Sequence, residues 1–276
     1  SYSLLAIGFS IIYASSEAVN FAMGEYAALG AYFCYTILSK IQPNILVGAI
    51  AAIILCMLFG MLVERIAFRR LYKLDHIFIV ICTIGVSTIL KNLILVIWGP
   101  HSLSFPIELN FRIIKIGTVS LMPKNLILLV VGVIIMVVFH LFMTKTKLGT
   151  SMRAVAQNKK AASLMGINVK RSINLTWGFG SLIAGTGGIL LAFIYNLSIE
   201  MGATVGIKGF ASAIMGGFGN VVGAMFGGVI LGIAETTGAF LISYYFKDII
   251  AFALLIIILL LKPTGLFIKS KSFRKI

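Results

Sequence analysis

KTKLGTSMRAVAQNKKAASLMGINVKR, residues 145–171, is the longest polar segment in a chain that is otherwise mostly apolar. It carries Lys145, Lys147, Arg153, Lys159, Lys160, Lys170 and Arg171, and no acid. Basic segments between long apolar runs stay on the cytoplasmic side of a membrane, so this one orients every crossing around it. Its middle has the pattern of a short helix. Thr150 or Ser151 can cap the start, and Gly166 followed by Ile167 suits a stop. Met152, Val155, Ala156, Ala162 and Met165 fall on one helical side, with Arg153, Gln157 and Lys160 elsewhere. Two readings fit this pattern equally. One is a helix across the inner face that docks a soluble partner. The other is a basic loop that fixes topology and touches anionic lipid.

Composition points the same way. Of 276 residues 60% are hydrophobic and 11% charged, where a soluble domain has about half and a quarter. The chain is therefore a polytopic, all-α membrane protein. A net charge of +15 would suit nucleic acid, but the basic residues gather at 64–75, 144–171 and 262–275, between apolar runs. That arrangement sets topology and excludes nucleic-acid binding. Cys34, Cys56 and Cys82 lie inside apolar runs with no CxxC, and read as small buried hydrophobes. His76, His101 and His140 are far apart, which argues against a metal or catalytic role. The chain has no initiator Met and opens abruptly on an apolar run, so a few N-terminal residues are expected to be missing, and no signal-peptide pattern is seen.

About eight membrane segments follow, two of them interrupted or re-entrant. Residues 1–14 are apolar but short of the roughly 20 helical residues that cross a bilayer. The polar stretch 15–26 separates them from a second short run, 27–38. Residues 44–63, 76–98, 125–143, 173–195 and 249–261 read as spans, alternating about the basic clusters. Residues 99–123 form an external loop whose FRIIKIGTVSL suggests a small β-hairpin. Residues 196–210 then lie outside. Residues 209–245 begin and end on that side, with a break at 216–220. Paired interrupted helices point to a transport pathway.

Small residues explain most of the glycine pattern. Gly219, Gly223 and Gly227 recur every four residues, as do Gly228 and Gly232, and Ala184 and Gly188, a spacing that lets helix backbones approach. No GxxxxGK[ST] occurs, so the chain has no P-loop of its own. Three acids sit in or beside apolar runs: Glu17, Glu25 and Glu235. Each can be an internal ion pair, for instance with Lys91, and Glu17 or Glu25 can cap a half-helix. Glu25 is the one best placed to line a pathway.

Several ordered motifs resemble one family. NFAMGEYAALGAY (20–32), VERIAFRRL (63–71), GTSMRAVAQNKKAASLMGIN (149–168), FGSLIAGTGGIL (179–190), IKGFASAIMGGFGNVVGAMFGGVILGIAE (207–235) and LLKPTGLF (260–267) are similar to permease subunits of ABC importers for branched-chain amino acids. The likeness is to the shorter, LivH-type subunit, with Met23 standing where members commonly carry His. It implies an ABC importer permease fold over a single domain, 1–276, in a prokaryotic cytoplasmic (inner) membrane. It also implies a non-enzymatic role, with no cofactor in this chain and ATP and Mg on partners.

Those partners are a second permease subunit, two ATP-binding subunits and an extracytoplasmic binding protein that delivers cargo to 99–123 and 196–208. The resemblance makes 145–171 the coupling-helix loop. Gly149, Met152, Arg153, Ala154, Val155, Ala156, Lys160, Ala161 and Gly166 would couple to the ATPase, with Met152, Val155 and Ala156 facing it and Arg153 and Lys160 at the rim. Asn20, Phe21, Met23, Gly24, Glu25, Gly216, Gly217, Gly219 and Asn220 would lie beside the translocation route. Leucine, isoleucine and valine are the expected cargo. Urea, short amides or another amino acid on the same architecture is the alternative, followed by an ion-coupled transporter using Glu25 or Glu235.

Overall fold

Among the described residues, five helices are long and apolar enough to cross a membrane: Ile45–Phe68, Ile77–Trp98, Pro123–Lys145, Val169–Ala192 and Val221–Leu241. At 1.5 Å per residue they are about 32–36 Å long, enough for a hydrocarbon core of about 30 Å. The computed structural model describes residues 1–41, 44–105, 114–116, 119–121, 123–241, 243 and 246–267. In chain order its helices are α1 (Tyr2–Ser16), α2 (Met23–Lys40), α3 (Ile45–Val63), α4 (His76–Trp98), α5 (Pro123–Lys145), α6 (Lys147–Gln157), α7 (Lys159–Leu164), α8 (Val169–Ala192), α9 (Met201–Gly216), α10 (Val221–Leu241) and α11 (Lys247–Leu261). The all-α, polytopic expectation is met. Against the expected eight segments stand five long spans and four shorter helices, α1, α2, α9 and α11, of 15, 18, 16 and 15 residues.

The bundle is built around α8, which is buried along most of its length. Lipid is as apolar as leucine, so helices in a bilayer associate through close packing rather than through escape from water. Glycines on α8 permit that packing. Ile12 of α1 rests on Gly180 and Leu5 on Gly187, so α1 runs antiparallel to α8. Gly30 of α2 meets Gly185, while Ile37 and Leu38 cluster with Ile189 and Phe193, so α2 runs parallel to it. Met61 of α3 covers Gly178 and Cys56 covers Gly185, again antiparallel. α1 and α2 thus form a helical hairpin joined by residues 17–22.

α9 and α10 form a second hairpin. Gly216 faces Gly223, and Gly227 faces the Ser212 carbonyl, with backbones in contact. Gly228 admits Ser3 of α1 in the same way. The four-residue spacing is therefore a packing signal at Gly223, Gly227, Gly228 and Gly188. Gly219 departs from it: it lies in the turn between the two helices at φ 83°, a left-handed conformation that favours glycine.

Two further ties shape the ends. Trp98 donates its indole N–H to Thr36 Oγ1 at 2.8 Å, fixing the end of α4 on α2. Leu103 and Leu197 exchange backbone hydrogen bonds of 3.0 and 2.9 Å, joining the connection after α4 to the one after α8. The expected hairpin is present as β1 (Ile114–Ile116) and β2 (Val119–Leu121), antiparallel. The rest of the external-loop expectation, at 106–113, 117–118 and 122, and the basic residues at 268–276 lie outside the described residues.

Candidate functional site

The basic segment 145–171 holds two helices, α6 and α7. Thr146 caps α6, its hydroxyl accepting the Gly149 N–H at 3.0 Å. Thr150 and Ser151, expected as caps, lie inside the helix and donate to the Thr146 and Lys147 carbonyls. Asn158 leaves helical geometry at φ −160° and caps α7, its Oδ1 accepting the Ala161 N–H. Gly166 ends α7 at φ 82°, as expected of a helix stop.

That geometry sets which side of the segment is buried and which is exposed. Met152 is 3% exposed, and Val155 and Ala162 are equally buried, because the apolar side of the segment packs on the chain's own membrane helices. Gly149 is pressed against the Phe142 and Met143 carbonyls, where a Cβ would not fit. Gly149, Met152 and Val155 therefore pack into the chain's own bundle. Ala154 and Ala156 are half-buried. Arg153, Lys160, Ala161 and Gly166 are exposed. So are Leu164 and Met165, at 89% and 83%. Met165 was expected beside Met152, but the break at Asn158 turns α7 away. Lys159 of α7 pairs with Glu17 at 3.2 Å, tying the end of α1 to the segment.

The first broken segment has divided roles. Asn20 is buried and its Oδ1 accepts the Ala22 N–H at 3.0 Å, starting α2. Met23 is fully buried, with its Cε against Gly8. Gly24 lies against Gly202 and Gly206 of α9. Phe21 is exposed and tilts onto Phe210, ring centroids 5.4 Å apart. Phe21 and Glu25 both border a cavity of about 220 Å³, shared with Phe9, Ser87, Gly202 and Phe210.

The second broken segment is a stapled tip. Gly217 and Gly219 take φ of 103° and 83°. Asn220 accepts the Gly223 N–H at 3.1 Å and donates to the Phe267 carbonyl at 3.3 Å. Leu266 N–H donates to the Met215 carbonyl at 2.8 Å, and Gly265 sits on Gly217. Gly219 and Asn220 share a cavity of about 430 Å³ with Met152, Arg153 and Ala156 of α6. The two segments meet through Phe210 of α9, whose ring lies 5.4 Å from that of Phe21 and 5.6 Å from that of Phe218.

Lys208 escaped the sequence reading, which placed 196–210 in an outer loop. It lies within α9, 3% exposed in its side chain, and pairs with Glu235 of α10 and with Asp248 of α11 at 2.7 Å. Its ammonium also stands 5.7 Å from the centre of the Tyr2 ring. Glu64 was missed as well; it is buried and accepts from Asn174 and, at 3.2 Å, from Arg69 Nη2. Lys91 pairs with Glu200 at 2.7 Å, not with Glu25 or Glu235. A lone charge inside an apolar run was the available signal at Lys208, whereas Glu64 stands at the edge of the basic cluster 64–75.

Among the described residues, no three His, Cys, Asp or Glu side chains gather so as to hold a metal ion. Residues 1–259 match the family model described as branched-chain amino acid transport system / permease component. The chain is 32% identical to the high-affinity branched-chain amino acid transport system permease protein LivH of Escherichia coli K12, over 96% of this chain and 91% of that one. It is 32% identical to the corresponding permease protein BraD of Pseudomonas aeruginosa, with the same coverage. The probable LivH of Methanocaldococcus jannaschii is 28% identical over 95% and 87%. No solved structure matches. An all-α membrane bundle with a basic helix pair, matched over nearly its whole length, belongs to the branched-chain amino acid transport permease family as a LivH/BraD-type ABC transporter subunit of the inner membrane, a permease and not an enzyme.

Proposed function

We propose that the chain forms half of the membrane pathway of an ATP-driven importer for leucine, isoleucine and valine. A second permease subunit would complete the pathway, and an extracytoplasmic binding protein would deliver cargo to the outer connections. The chain has no P-loop, so ATP and Mg belong to two partner subunits on the cytoplasmic side. Relatives named for branched-chain amino acid transport, at 32% identity over nearly all of both chains, support the cargo.

The observation that carries the mechanism is the position of α6. Its buried face is fixed to the bundle, and it shares a cavity with the tip of the α9–α10 hairpin. Its other face and the end of α7 are exposed. An ATPase that binds Arg153, Lys160, Ala161, Leu164 and Met165 would push on a surface continuous with the tip. Residues 216–220 would pass that motion into α9, whose far end borders Phe21, Gly24 and Glu25. Asn20 would hold the start of α2, and Met23 would serve packing. ATP would then shift an inward–outward equilibrium by binding the two states with different affinity.

Reconstitution with the second permease, both ATPases and the binding protein tests this. ATP-dependent uptake of leucine, isoleucine and valine is the expected result. Uptake of urea or a short amide instead would change the cargo and keep the architecture. Uptake driven by a proton or sodium gradient without ATP would reject the reading.

A further inference from the structure

Glu25 is 2% exposed, and its Oε2 has no hydrogen-bond partner among the described residues. Two ordinary roles could account for a carboxylate here, and other residues fill both. Capping of α2 is done by Asn20, whose Oδ1 takes the Ala22 N–H, and α2 has no other side-chain cap. The nearby cation, Lys91 on α4, is held by Glu200 at 2.7 Å. The carboxyl group is nonetheless accommodated with care. Gly202 lies directly against it, where any Cβ would meet Oε2 and Cδ.

Glu25 borders a cavity of about 220 Å³. That volume is below the 300–1,000 Å³ of sites for drug-sized ligands, so it suits one small molecule. Apart from Glu25 and the hydroxyls of Ser87 and Thr88, its lining is apolar, with the rings of Phe9, Phe21 and Phe210 gathered on one side. Phe210 touches both other rings, at 5.7 and 5.4 Å between centroids. One carboxylate beside three phenyl rings is poor for a divalent cation, which asks for several oxygens. It suits an organic ammonium, which the carboxylate pairs and the rings attract through their faces.

We propose that Glu25 and this cavity form a cargo-binding site within the membrane: Oε2 receives the α-ammonium of the amino acid, and Phe9, Phe21 and Phe210 receive its aliphatic side chain. The proposal rests on the importer reading above and adds to it the chemistry by which the permease itself holds cargo. A buried carboxyl oxygen left without a hydrogen bond is unfavourable, so the site favours a ligand that brings a donor or a positive charge to it. The charge is supplied by every amino acid, while selection among side chains falls to the rings.

Photoactivatable leucine, with a diazirine in its side chain, tests the site in vesicles containing the assembled importer. Irradiation should label Phe21, Phe210 or their immediate neighbours. Excess leucine should remove the label, and excess 4-methylpentanoate, which has the same side chain and no amine, should leave it. Glu25→Gln should reduce the label at least ten-fold with the ATPase subunits still bound, and Glu25→Asp should retain more of it than Glu25→Gln. Equal labelling of Glu25→Gln and the unchanged chain overturns the site, as does displacement by 4-methylpentanoate as strong as by leucine. If Glu25→Gln fails to assemble, the competition pattern of the unchanged chain decides alone. Vesicles that import leucine with ATP yet show no label in the cavity overturn the site and leave the importer standing. Vesicles that import no branched-chain amino acid overturn both.

Discussion

Lys208 shows what a single buried charge does in this bundle. Its ammonium is shared by Glu235 and Asp248, so one side chain joins α9, α10 and α11. Asp248 is half-exposed and can be rehydrated, whereas Glu235 is almost buried and its Oε2 has no partner among the described residues. Breaking a buried pair from one side leaves an uncompensated charge, at a cost of about 3–5 kcal/mol. Lys208→Met should therefore lower stability by about 3 kcal/mol. Lys208→Met with Glu235→Met should recover most of that loss, because the stranded carboxylate is gone. Thermal unfolding of the purified protein in detergent checks both, and a double variant as unstable as the single would show that the pair is not what Lys208 supplies. The sequence hid this residue for a physical reason. Its partner lies 27 positions away on another helix, where helical spacing carries no information.

At the scale of an element, the helix pair α6–α7 separates what a pattern can and cannot tell. That a basic helix lies at 145–171, and that Gly166 ends it, was readable from charge and a glycine stop. The cap was misread because Thr146, Thr150 and Ser151 are chemically alike, and only the end of α5 decides among them: Thr146 also donates to the Phe142 carbonyl. The facing was not readable, because amphipathic spacing says which residues share a side. It does not say whether that side meets the same chain or another. The same distinction predicts two different failures. Met152→Asp places a charge at a buried position and should prevent folding of the chain. Leu164→Asp and Met165→Asp change exposed residues and should alter folding by no more than about 0.5 kcal/mol. Both should nevertheless reduce retention of the ATPase subunits, as should Arg153→Glu. Co-purification of the subunits from membranes is the measurement. Full retention with Leu164→Asp, Met165→Asp and Arg153→Glu would place the docking surface elsewhere.

For the whole molecule, the all-α, polytopic class was legible in the composition, and the family in ordered motifs. The centre was not. α8 differs from the other long spans in being surrounded by protein, yet its sequence is the least apolar of the five. In water a buried helix is the most hydrophobic one. In lipid the outside is oil, and the centre is marked by small residues that let neighbours close in. This inversion makes glycine the sensitive residue, and its surroundings decide the sign of a substitution. Gly188 of α8 has the Ala27 carbonyl of α2 directly against it, so a methyl group there must push the α2 and α8 backbones apart. Gly85 of α4 has no atom within 4 Å of where its Cβ would be. Both gain helix propensity on change to alanine, by at most about 1 kcal/mol. Overpacking a well-packed site costs about 1–3 kcal/mol. Gly85→Ala should therefore be neutral or slightly stabilising, and Gly188→Ala destabilising, with α2 displaced from α8. Because α2 carries Glu25 at its start, Gly188→Ala should also impair uptake where Gly85→Ala does not. Thermal unfolding together with ATP-driven uptake measures both effects; equal behaviour of the two variants would mean that backbone contact at α8 does not hold this bundle together.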